Sequence, residues 1–599
     1  MDRKYYYPAH ITSTPAGKEV AFVTNHNANQ VYLLPEIQVQ KFKALSGCRS
    51  LDGLLAQLKS VDTYKLSENV LQVQIQEWIK MGLLRPEALL KEKARSKNTQ
   101  HPPLMSSTIT CNRPDTLQKW LTPRINSPDY RNNKVPILIS DDSEEKGMQQ
   151  KNRLVVDKQR KNYPGTIIYN DRYYREKLIH ELAGTVPEDV VRFALKGAEG
   201  LTSKRNIGTF GANRNAALLS TAGAYYYSSD DDLYYRFYQN KNQTSESTSS
   251  KIVFEDALLP AFRCFPDMES LEQASSSAPK FSLIDKAQQL FHEGVYSMLS
   301  DADLSCITPS IAHKLETGNA ELRAVTAGYY GGRWYDSPIT FLMHIDETET
   351  QFLNDPDAYQ KMKYNGINIC GFEDTTVTSS SFLQGGTMIL DNTKLLPPCF
   401  PMGRHEDTAF GILLHRCFEH AFFLHLPVAA YHDPSNKIPF SEKAFSDASL
   451  GMGKMIELLL YRYTATFLSS SPVERMGEVG KQFQDIGEIS LADFEGQLRA
   501  VQQHYVSVAV RHLEVLLKHF NGKPSWWAED VQRYLEAQEE ESKNPVAAVP
   551  RELRTKVNEP KNDKEAALTL FQSWLGQYGR LLEYWPELWE TARRMNSLP

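Results

Sequence analysis

Three consecutive aspartates, Asp230 to Asp232, follow an apolar stretch that is predicted to form a strand over residues 223–227. Neighbouring carboxylates repel each other, by about 1 kcal/mol per pair even in water-like surroundings. A divalent cation removes that repulsion, and carboxylate oxygens are the ligands that Mg²⁺ and Mn²⁺ prefer in proteins. The run therefore predicts either a metal site at the end of a strand or a solvated turn, which is the usual setting of a charge run.

Two further acidic pairs and two histidines have the side chains that chemistry at such a site needs. Asp141–Asp142 end the strand-like segment VPILISDD, and Glu406–Asp407 come directly before the helical segment TAFGILLHR. The second pair could simply begin that helix, because acids are favoured at a helix N-terminus. His425 and His432 both lie towards the end of a predicted strand, and His425 is more typical of a packed strand residue.

Composition limits the classes of function. The chain has 599 residues, a net charge of −6, 41% apolar residues and 23% charged residues, so we expect about three or four soluble domains. The charge provides no general attraction to nucleic acid. The seven cysteines form no C-x-x-C pair, the first residues lack a signal-peptide core, and no run of 18 apolar residues occurs. These features predict a cytoplasmic protein without a transmembrane segment.

Strand-like and helical segments alternate from residue 104 to residue 440, which predicts an α/β domain with a mostly parallel sheet. Ligands of such sheets bind beyond the carboxyl ends of the strands, so the acidic residues at 141–142 and 230–232 could face one cleft. A Ser-, Asn- and Gln-rich stretch over 239–280 predicts a mobile loop within an insertion near 240–380. The predicted strands are 106–112, 135–142, 165–171, 385–391 and 421–434, and the predicted helices lie around 173–200 and 213–222.

The two ends of the chain differ from this central part. Residues 1–90 combine a β-hairpin, 19–25 with 30–35, and three short helices, which predicts a small α+β domain like a winged helix. A charged linker, 91–103, follows it. Residues 441–599 are predicted to be helical and carry many large aromatic side chains. Core packing is the first interpretation of those side chains, and an acceptor-binding or self-association surface is the alternative, with a homo-oligomer left open.

Five segments follow one another in the chain: SSTITCNRPDTLQKWL, VPILISDDS, GTFGANRNAALLSTAGAYYYSSDDD, MGRHEDTAFGILL and YHDP. In this order they resemble segments of the family 2 glycosyltransferases. The first resembles that family's opening strand and helix, and the second resembles its acidic strand end, which binds the nucleotide. The third resembles its helix leading to the Asp-x-Asp metal motif, the fourth its Glu-Asp base segment, and the fifth its metal-binding histidine.

The resemblance implies a GT-A (nucleotide-diphospho-sugar transferase) fold and transfer of a sugar from a nucleotide sugar, a UDP-sugar first of all. It implies Mn²⁺ or Mg²⁺ as the cofactor, with Asp230, Asp232 and His432 as metal ligands. His425 competes with His432 for the last role, and the run of three aspartates permits a shift by one residue. Glu406 or Asp407 would be the catalytic base. The nucleotide-sugar site would comprise Thr110, Asn112, Arg113, Asp141, Asp142, Arg214, Asn215, Asp230 and Asp231. Arg214 and Asn215 could instead only pair locally.

The implied chemistry suits these residue types. A divalent ion neutralises the charge of a departing diphosphate as a Lewis acid. A carboxylate that takes the acceptor's proton contributes roughly 10²–10⁴-fold to the rate. One base and an in-line displacement predict inversion at the sugar carbon C1.

Residues 1–90 resemble the PqqD-like peptide-recognition domains, which bind the leader of a ribosomally made peptide as an added strand. The resemblance implies a peptide acceptor, and a generic winged helix is the alternative. An acceptor that is a polysaccharide or a small molecule is the second hypothesis, with the first domain used only for assembly. A nucleotidyltransferase is disfavoured because TCNRPDTL lacks glycine, and a non-catalytic protein because both acidic motifs are retained. The sugar, the nucleotide and the acceptor atom stay open.

Overall fold

The structure, a computed structural model, describes most of the chain. Residues 94–101 of the predicted linker, residues 241–250, 257–260 and 278–280 of the predicted Ser-rich loop, and residues 434–446 lie outside the described residues. Most other residues of the predicted loop form strands and a helix, because they pair into the central sheet. Within the described part, no helix is both long enough and apolar enough to cross a membrane. The described ranges are 5–17, 19–93, 102–198, 207–240, 251–256, 261–277, 282–332, 338–343, 354–383, 385–433, 447–554 and 564–596.

The first unit contains the predicted hairpin and the three predicted helices. Residues 20–25 pair antiparallel with residues 30–35, and the hydroxyl of Ser50 accepts a hydrogen bond from Gly53 N as the cap of the second helix. Leu71 and Trp78 pack inward at helical spacing. The elements are β1 (Tyr5–Pro8), β2 (Ile11–Pro15), β3 (Val20–Asn25), β4 (Gln30–Pro35), α1 (Glu36–Lys43), β5 (Arg49–Ser50), α2 (Leu51–Val61), α3 (Glu68–Lys80), β6 (Leu84–Pro86) and α4 (Ala88–Lys91).

Four parallel strands form one side of the large central sheet, in the order β9-β8-β7-β10. The chain runs from β7 outward to β9 and then returns to the other side of β7, so the direction of winding reverses between β7 and β10. The elements of this half are β7 (Leu104–Thr110), α5 (Pro114–Asn126), α6 (Pro128–Asn133), β8 (Ile137–Asp141), α7 (Lys146–Arg160), β9 (Ile167–Asn170), α8 (Arg172–Leu182), α9 (Glu188–Lys196), α10 (Phe210–Ser220) and β10 (Tyr225–Asp230).

The other half makes the sheet mixed, where the sequence predicted a mostly parallel one. Thr387–Asp391 pair antiparallel with both β10 and Ala324–Thr326, and residues 233–238 pair antiparallel with residues 429–432, so antiparallel ladders continue the sheet beyond β10. The elements are β11 (Leu233–Asn240), β12 (Ile252–Phe254), β13 (Ala261–Phe265), α11 (Met268–Ala274), β14 (Ser275–Ser277), α12 (Leu283–Met298), β15 (Ala302–Asp303), α13 (Pro309–Glu316), β16 (Glu321–Gly331), α14 (Pro338–Met343), α15 (Pro356–Asn365), β17 (Ile367–Gly371), β18 (Thr375–Thr378), β19 (Thr387–Asp391), α16 (Glu406–Cys417) and β20 (Ala421–His432).

The stretch 240–380 is more than an insertion, because it supplies a strand to the middle of the sheet. β16 lies between β19, its antiparallel neighbour, and β20, its parallel neighbour. Its sequence, ELRAVTAGYYG, contains Arg323, small residues and tyrosines, so it lacks the apolar run that marks a central strand. The guanidinium of Arg323 is nevertheless buried and donates to the carbonyl of Leu395 at 2.7 Å.

The C-terminal helices pack on the central sheet's helices, as the core-packing interpretation requires. The indole nitrogen of Trp585 donates to the carbonyl of Leu396 at 2.6 Å, and that of Trp589 donates to Asn392 at 2.8 Å. Trp574 and Trp585 are fully buried, so they present no acceptor surface. The helices are α17 (Met452–Tyr463), α18 (Pro472–Glu488), α19 (Leu491–His519), α20 (Ser525–Lys543), α21 (Arg551–Arg554) and α22 (Lys564–Asn596).

Candidate active site

The carboxyl ends of β7, β8 and β10 meet at one edge of the sheet and bring the acidic residues there. β7 ends at Thr110, β8 at Asp141 and β10 at Asp230. β20 runs in the same direction as β10 through β16 and β19, and its last residue, His432, pairs with Leu233 just beyond the three aspartates. The winding reverses between the paired strands β7 and β10, and α/β sheets bind their ligands beyond the carboxyl ends of the strands at such a point.

Asp231 is the buried centre of the acidic run. Its carboxylate accepts a hydrogen bond at 2.8 Å from Oγ1 of Thr110, which ends the neighbouring strand β7, and a second from Arg113 Nη1 at 2.6 Å. Burial raises the pKa of Asp231 to about 7, an effect that the charge of Arg113 opposes and that of Asp232 reinforces. Asp231 therefore joins two strands and holds the Arg113 side chain.

Asp232 and His432 turn one hydrogen-bond acceptor atom each toward the other. His432 Nδ1 lies 3.0 Å from the carbonyl oxygen of Gly332, and because that oxygen can only accept, Nδ1 carries the proton. In the neutral imidazole, Nε2 then has a lone pair, and it lies 3.5 Å from Oδ1 of Asp232. Two facing acceptors need a bridging proton or a cation between them, and an imidazole oriented by a carbonyl is the usual form of a metal ligand.

Arg214 connects two of the other predicted site residues. Its guanidinium lies 2.7 Å from Asp230 Oδ1 and 2.9 Å from Glu406 Oε1, and it also donates to the hydroxyl of Ser228. Arg214 and Glu406 are both buried. Burial raises the pKa of Glu406, against the opposing charge of Arg214. The carboxylate of Asp230 is thus committed to a guanidinium within the protein.

Asp407, the other candidate base, is half-buried at the first turn of α16. Its carboxylate accepts hydrogen bonds from Gly385 N at 3.0 Å and from Thr408 N at 2.9 Å. A Cβ atom at Gly385 would lie 2.6 Å from the Asp407 side chain, so only glycine permits this approach. Glu406 and Asp407 do begin a helix, and they also border the carboxylate cluster; the two interpretations are compatible.

Asp142 lies beside β7 in a pocket of arginines. It accepts hydrogen bonds from Arg175 Nη1 at 2.7 Å and Arg172 Nε at 3.2 Å, and a short one from the hydroxyl of Thr209. Sequence reasoning missed all three partners, because they lie on or next to helices whose patterns are those of ordinary surface segments.

Asn112, another predicted site residue, adopts a left-handed backbone with φ of 57°, and its N–H donates to Ser143 Oγ at 2.7 Å.

Two residues of the predicted nucleotide site have other partners in the structure. Asp141 is fully buried and accepts hydrogen bonds from Ser143 and Asn152, while Asn215 is fully buried and bonds the backbone of Ala194 and Cys399. Neither side chain reaches the cluster around Asp231, because each is enclosed by the turn or loop that it holds. Their contacts indicate roles in the fold.

His425 is packed within the sheet. Its ring stacks on Phe372 with centroids 4.2 Å apart, and Nδ1 lies 2.7 Å from the hydroxyl of Thr326. Burial lowers the pKa of His425 to about 3. Of the two histidines, His432 is the one beside the carboxylates.

A concave surface lies on strands β11, β13, β16, β17 and β20. It is bordered by Tyr238, Arg263, Tyr330, Phe372 and the bulge of β20 at 427–429. Residue 429 lies about 10 Å along β20 from His432, and none of the lining residues belongs to the carboxylate cluster.

Among the described residues, no group of three or more His, Cys, Asp or Glu side chains is arranged so that it could hold a metal ion, so Asp230, Asp232 and His432 do not form a three-ligand site. Comparison with known proteins adds no assignment: no family model matches the chain, and no curated protein sequence matches it. The function proposed below rests on the geometry of the site and on the resemblance of its motifs.

Proposed function

We propose that the chain is a metal-dependent, inverting glycosyltransferase that moves a sugar from a nucleotide diphosphate, a UDP-sugar first of all, to a peptide acceptor. The observation that carries the proposal is the pair of facing acceptors, His432 Nε2 and Asp232 Oδ1, at the point where the sheet reverses its winding. A GT-A fold is part of the proposal, supported by the four parallel strands β9-β8-β7-β10 and the motifs at their carboxyl ends.

Asp232 and His432 fit Mn²⁺ or Mg²⁺, because such ions take one or two protein ligands and complete their shell with substrate phosphates and water. The bound ion supplies neutralisation of the diphosphate's charge as the sugar leaves. Asp230, which the motif resemblance makes a third ligand, instead pairs with Arg214. We therefore assign Asp230 to contacts with the donor through its exposed side.

The donor's diphosphate has protein partners as well. Arg113 is the residue before α5, whose first turn has Pro114 and no side-chain cap, so free N–H groups lie beside the guanidinium. Helix N-termini and arginines are both common partners of phosphate. Thr110 and Asn112 border this site, and Asp142 with its arginines borders it on the β8 side.

We assign the base to Asp407 and a positioning role to Glu406. Glu406 is buried and neutralised by Arg214, whereas Asp407 is half-buried and, within the described part of the chain, accepts hydrogen bonds from the backbone N–H groups of Gly385 and Thr408. A base has to reach the acceptor's hydroxyl or thiol, which favours the more accessible carboxylate. Attack on C1 opposite to the departing diphosphate gives inversion.

The peptide acceptor is supported by an exposed apolar surface on the first unit. Phe22, Val31 and Leu33 of the β2-β3-β4 sheet and Val70 and Val73 of α3 are all exposed. β4 is one of the two outer strands of that sheet, and Phe22, Val31 and Leu33 lie on one face of it. An extended peptide could therefore pair with β4 and cover these three side chains, in the manner of PqqD-like domains. Exposed apolar clusters of this kind are typical of interaction sites.

An acceptor that is a polysaccharide or a small molecule is the second candidate, with the first unit used for assembly. One observation favours it. Glu316 of α13 accepts hydrogen bonds from Arg85 Nε at 2.7 Å and Asn27 Nδ2 at 2.9 Å, which ties the first unit to the central one. A docking contact of this kind is what an assembly role requires, but it leaves the apolar surface of β4 unexplained.

The direct test combines binding and product analysis. Thermal unfolding with a panel of nucleotide sugars, with and without Mn²⁺, should reveal a donor that raises the melting temperature only when the metal is present. That donor and a leader-bearing peptide should then give a mass increase of one sugar residue, with the opposite anomeric configuration by NMR. Absence of Mn²⁺-dependent stabilisation by any nucleotide sugar would overturn the proposal.

A further inference from the structure

We propose that Arg113 is a resident counter-cation, whose guanidinium pairs with Asp232 until the donor's diphosphate becomes its partner instead. Asp232 is then released to bind the metal, so metal binding depends on the donor. The inference rests on the proposed function and concerns the order in which ligands arrive. It also explains how three adjacent carboxylates are tolerated in the free protein. Arg113 lies within 3.5 Å of Asp231 and Asp232, Arg214 lies 2.7 Å from Asp230, and His432 lies 3.5 Å from Asp232.

The contacts of Arg113 are unequal. Nη1 lies 2.6 Å from Asp231 Oδ1 and 3.5 Å from Asp232 Oδ2. The Arg113 side chain is 39% exposed, whereas those of Asp231 and Asp232 are 5% and 11% exposed. One carboxylate therefore anchors the guanidinium, the second is held more loosely, and part of the Arg113 side chain stays exposed. The weaker contact, to Asp232, is the one that a competing ligand can displace.

The backbone around Arg113 is restrained, so the side chain is the part that can move. Asn112 before it is left-handed, with φ of 57°, and Pro114 after it is the first residue of α5. A diphosphate bound at the N-terminus of α5 would lie next to the guanidinium. It could then exchange the Asp232 contact for bidentate contacts to phosphate oxygens.

Charge makes the exchange cooperative. A divalent cation at Asp232 and His432 would lie close to the Arg113 guanidinium, and two cations in a partly buried site repel each other. The metal alone has to overcome that repulsion and take Asp232 from its ion pair. With a diphosphate present, the guanidinium gains an anionic partner and Asp232 becomes available. By linkage, the diphosphate and the metal strengthen each other's binding by the same factor.

The test measures Mn²⁺ affinity directly, from the electron paramagnetic resonance signal of free Mn²⁺, without donor and with UDP. Without donor, Arg113→Gln should bind Mn²⁺ about fivefold to tenfold more tightly than the wild type, because a partly exposed ion pair has been removed. Arg113→Lys, which keeps the charge, should stay close to the wild type.

Lys119→Gln is the matched control. Lys119 lies 3.7 Å from Asp433 and, among the described residues, makes no ion pair with the three aspartates. Its Mn²⁺ affinity should stay within about twofold of the wild type.

UDP should tighten Mn²⁺ binding to the wild type and should do so much less in Arg113→Gln. Unfolding curves check that each variant is folded. If the wild type binds Mn²⁺ and Arg113→Gln binds it equally or more weakly without donor, the counter-cation role is overturned while the proposed function stands. If the wild type binds no Mn²⁺ with or without UDP, the metal-dependent function itself is overturned. An equal gain in Lys119→Gln would reduce the effect to general electrostatics and would also overturn the inference.

Discussion

Nε2 of His432 lies 3.5 Å from Oδ1 of Asp232, and the opposite ring nitrogen of His432 donates to the carbonyl of Gly332. This orientation turns a lone pair of the neutral imidazole toward a carboxylate. The arrangement is favourable only when a proton or a cation lies between the two atoms. Because Asp232 follows β10 and His432 ends β20, the pair also joins two strands that are far apart in the sequence.

Asp232→Ala and His432→Ala should each abolish Mn²⁺-dependent stabilisation by a nucleotide sugar. At a donor concentration of about 100 times Kd, a bound ligand adds about 2.7 kcal/mol to the free energy of unfolding, and that increment should disappear. Thermal unfolding with and without Mn²⁺ measures it. His504→Ala, an exposed histidine of α19, is the control and should keep the full increment. Retention of the increment in Asp232→Ala would contradict the metal assignment.

Asp407→Asn should lower kcat by roughly 10²–10⁴-fold, because the base is lost, and should leave donor binding unchanged. Glu406→Gln should act differently, since it weakens a buried ion pair with Arg214. We expect it to lower the free energy of unfolding by about 1–3 kcal/mol. Turnover assays and urea unfolding of both variants separate the two roles. The opposite pattern, with normal turnover in Asp407→Asn, would move the base to Glu406.

His425 should make the protein less stable as the pH falls below about 6.5. Burial lowers the pKa of His425 in the folded protein to about 3, so between these values the unfolded chain binds a proton that the folded one does not. The stability contributed by the neutral ring is complete above pH 6.5 and declines on acidification, by up to about 1.4 kcal/mol per pH unit. His425→Gln should remove this part of the pH dependence in urea unfolding between pH 7.5 and 5.5. The exposed His504→Gln should leave the wild-type dependence unaltered.

Val31→Lys should raise the KM for a leader-bearing peptide and leave hydrolysis of the donor unchanged. Val31 is 63% exposed on the outer strand β4, so a lysine fits there without disturbing the core, but it disrupts an apolar contact with a peptide. Val508→Lys, at a site 57% exposed on α19, is the matched control and should leave the KM unchanged. Steady-state kinetics with a peptide that carries its leader and one that lacks it make the comparison. An unchanged KM in Val31→Lys would favour the polysaccharide or small-molecule acceptor.

The local elements around the site could be predicted from the sequence to within a few residues. SSTITCN and VPILISDD form β7 and β8, and the acidic residues follow the strands as expected. Strand and helix patterns are local, because they depend on hydrogen bonds and side-chain periodicity within a few residues. β16 was missed since its burial comes from its two neighbours in the sheet, and its own pattern contains a buried arginine.

The sequence by itself determined which chemistry was available, because three aspartates, a Glu-Asp pair and His432 at the ends of predicted elements are types suited to metal binding and proton transfer. Only the tertiary structure decided the partners: Asp231 with Thr110 and Arg113, Asp230 with Arg214, and Asp141 and Asn215 within the fold. The physical reason is that these contacts join residues brought together by strand order and register. Thr110 and Asp231 are 121 positions apart, and no local pattern encodes which guanidinium will neutralise which carboxylate.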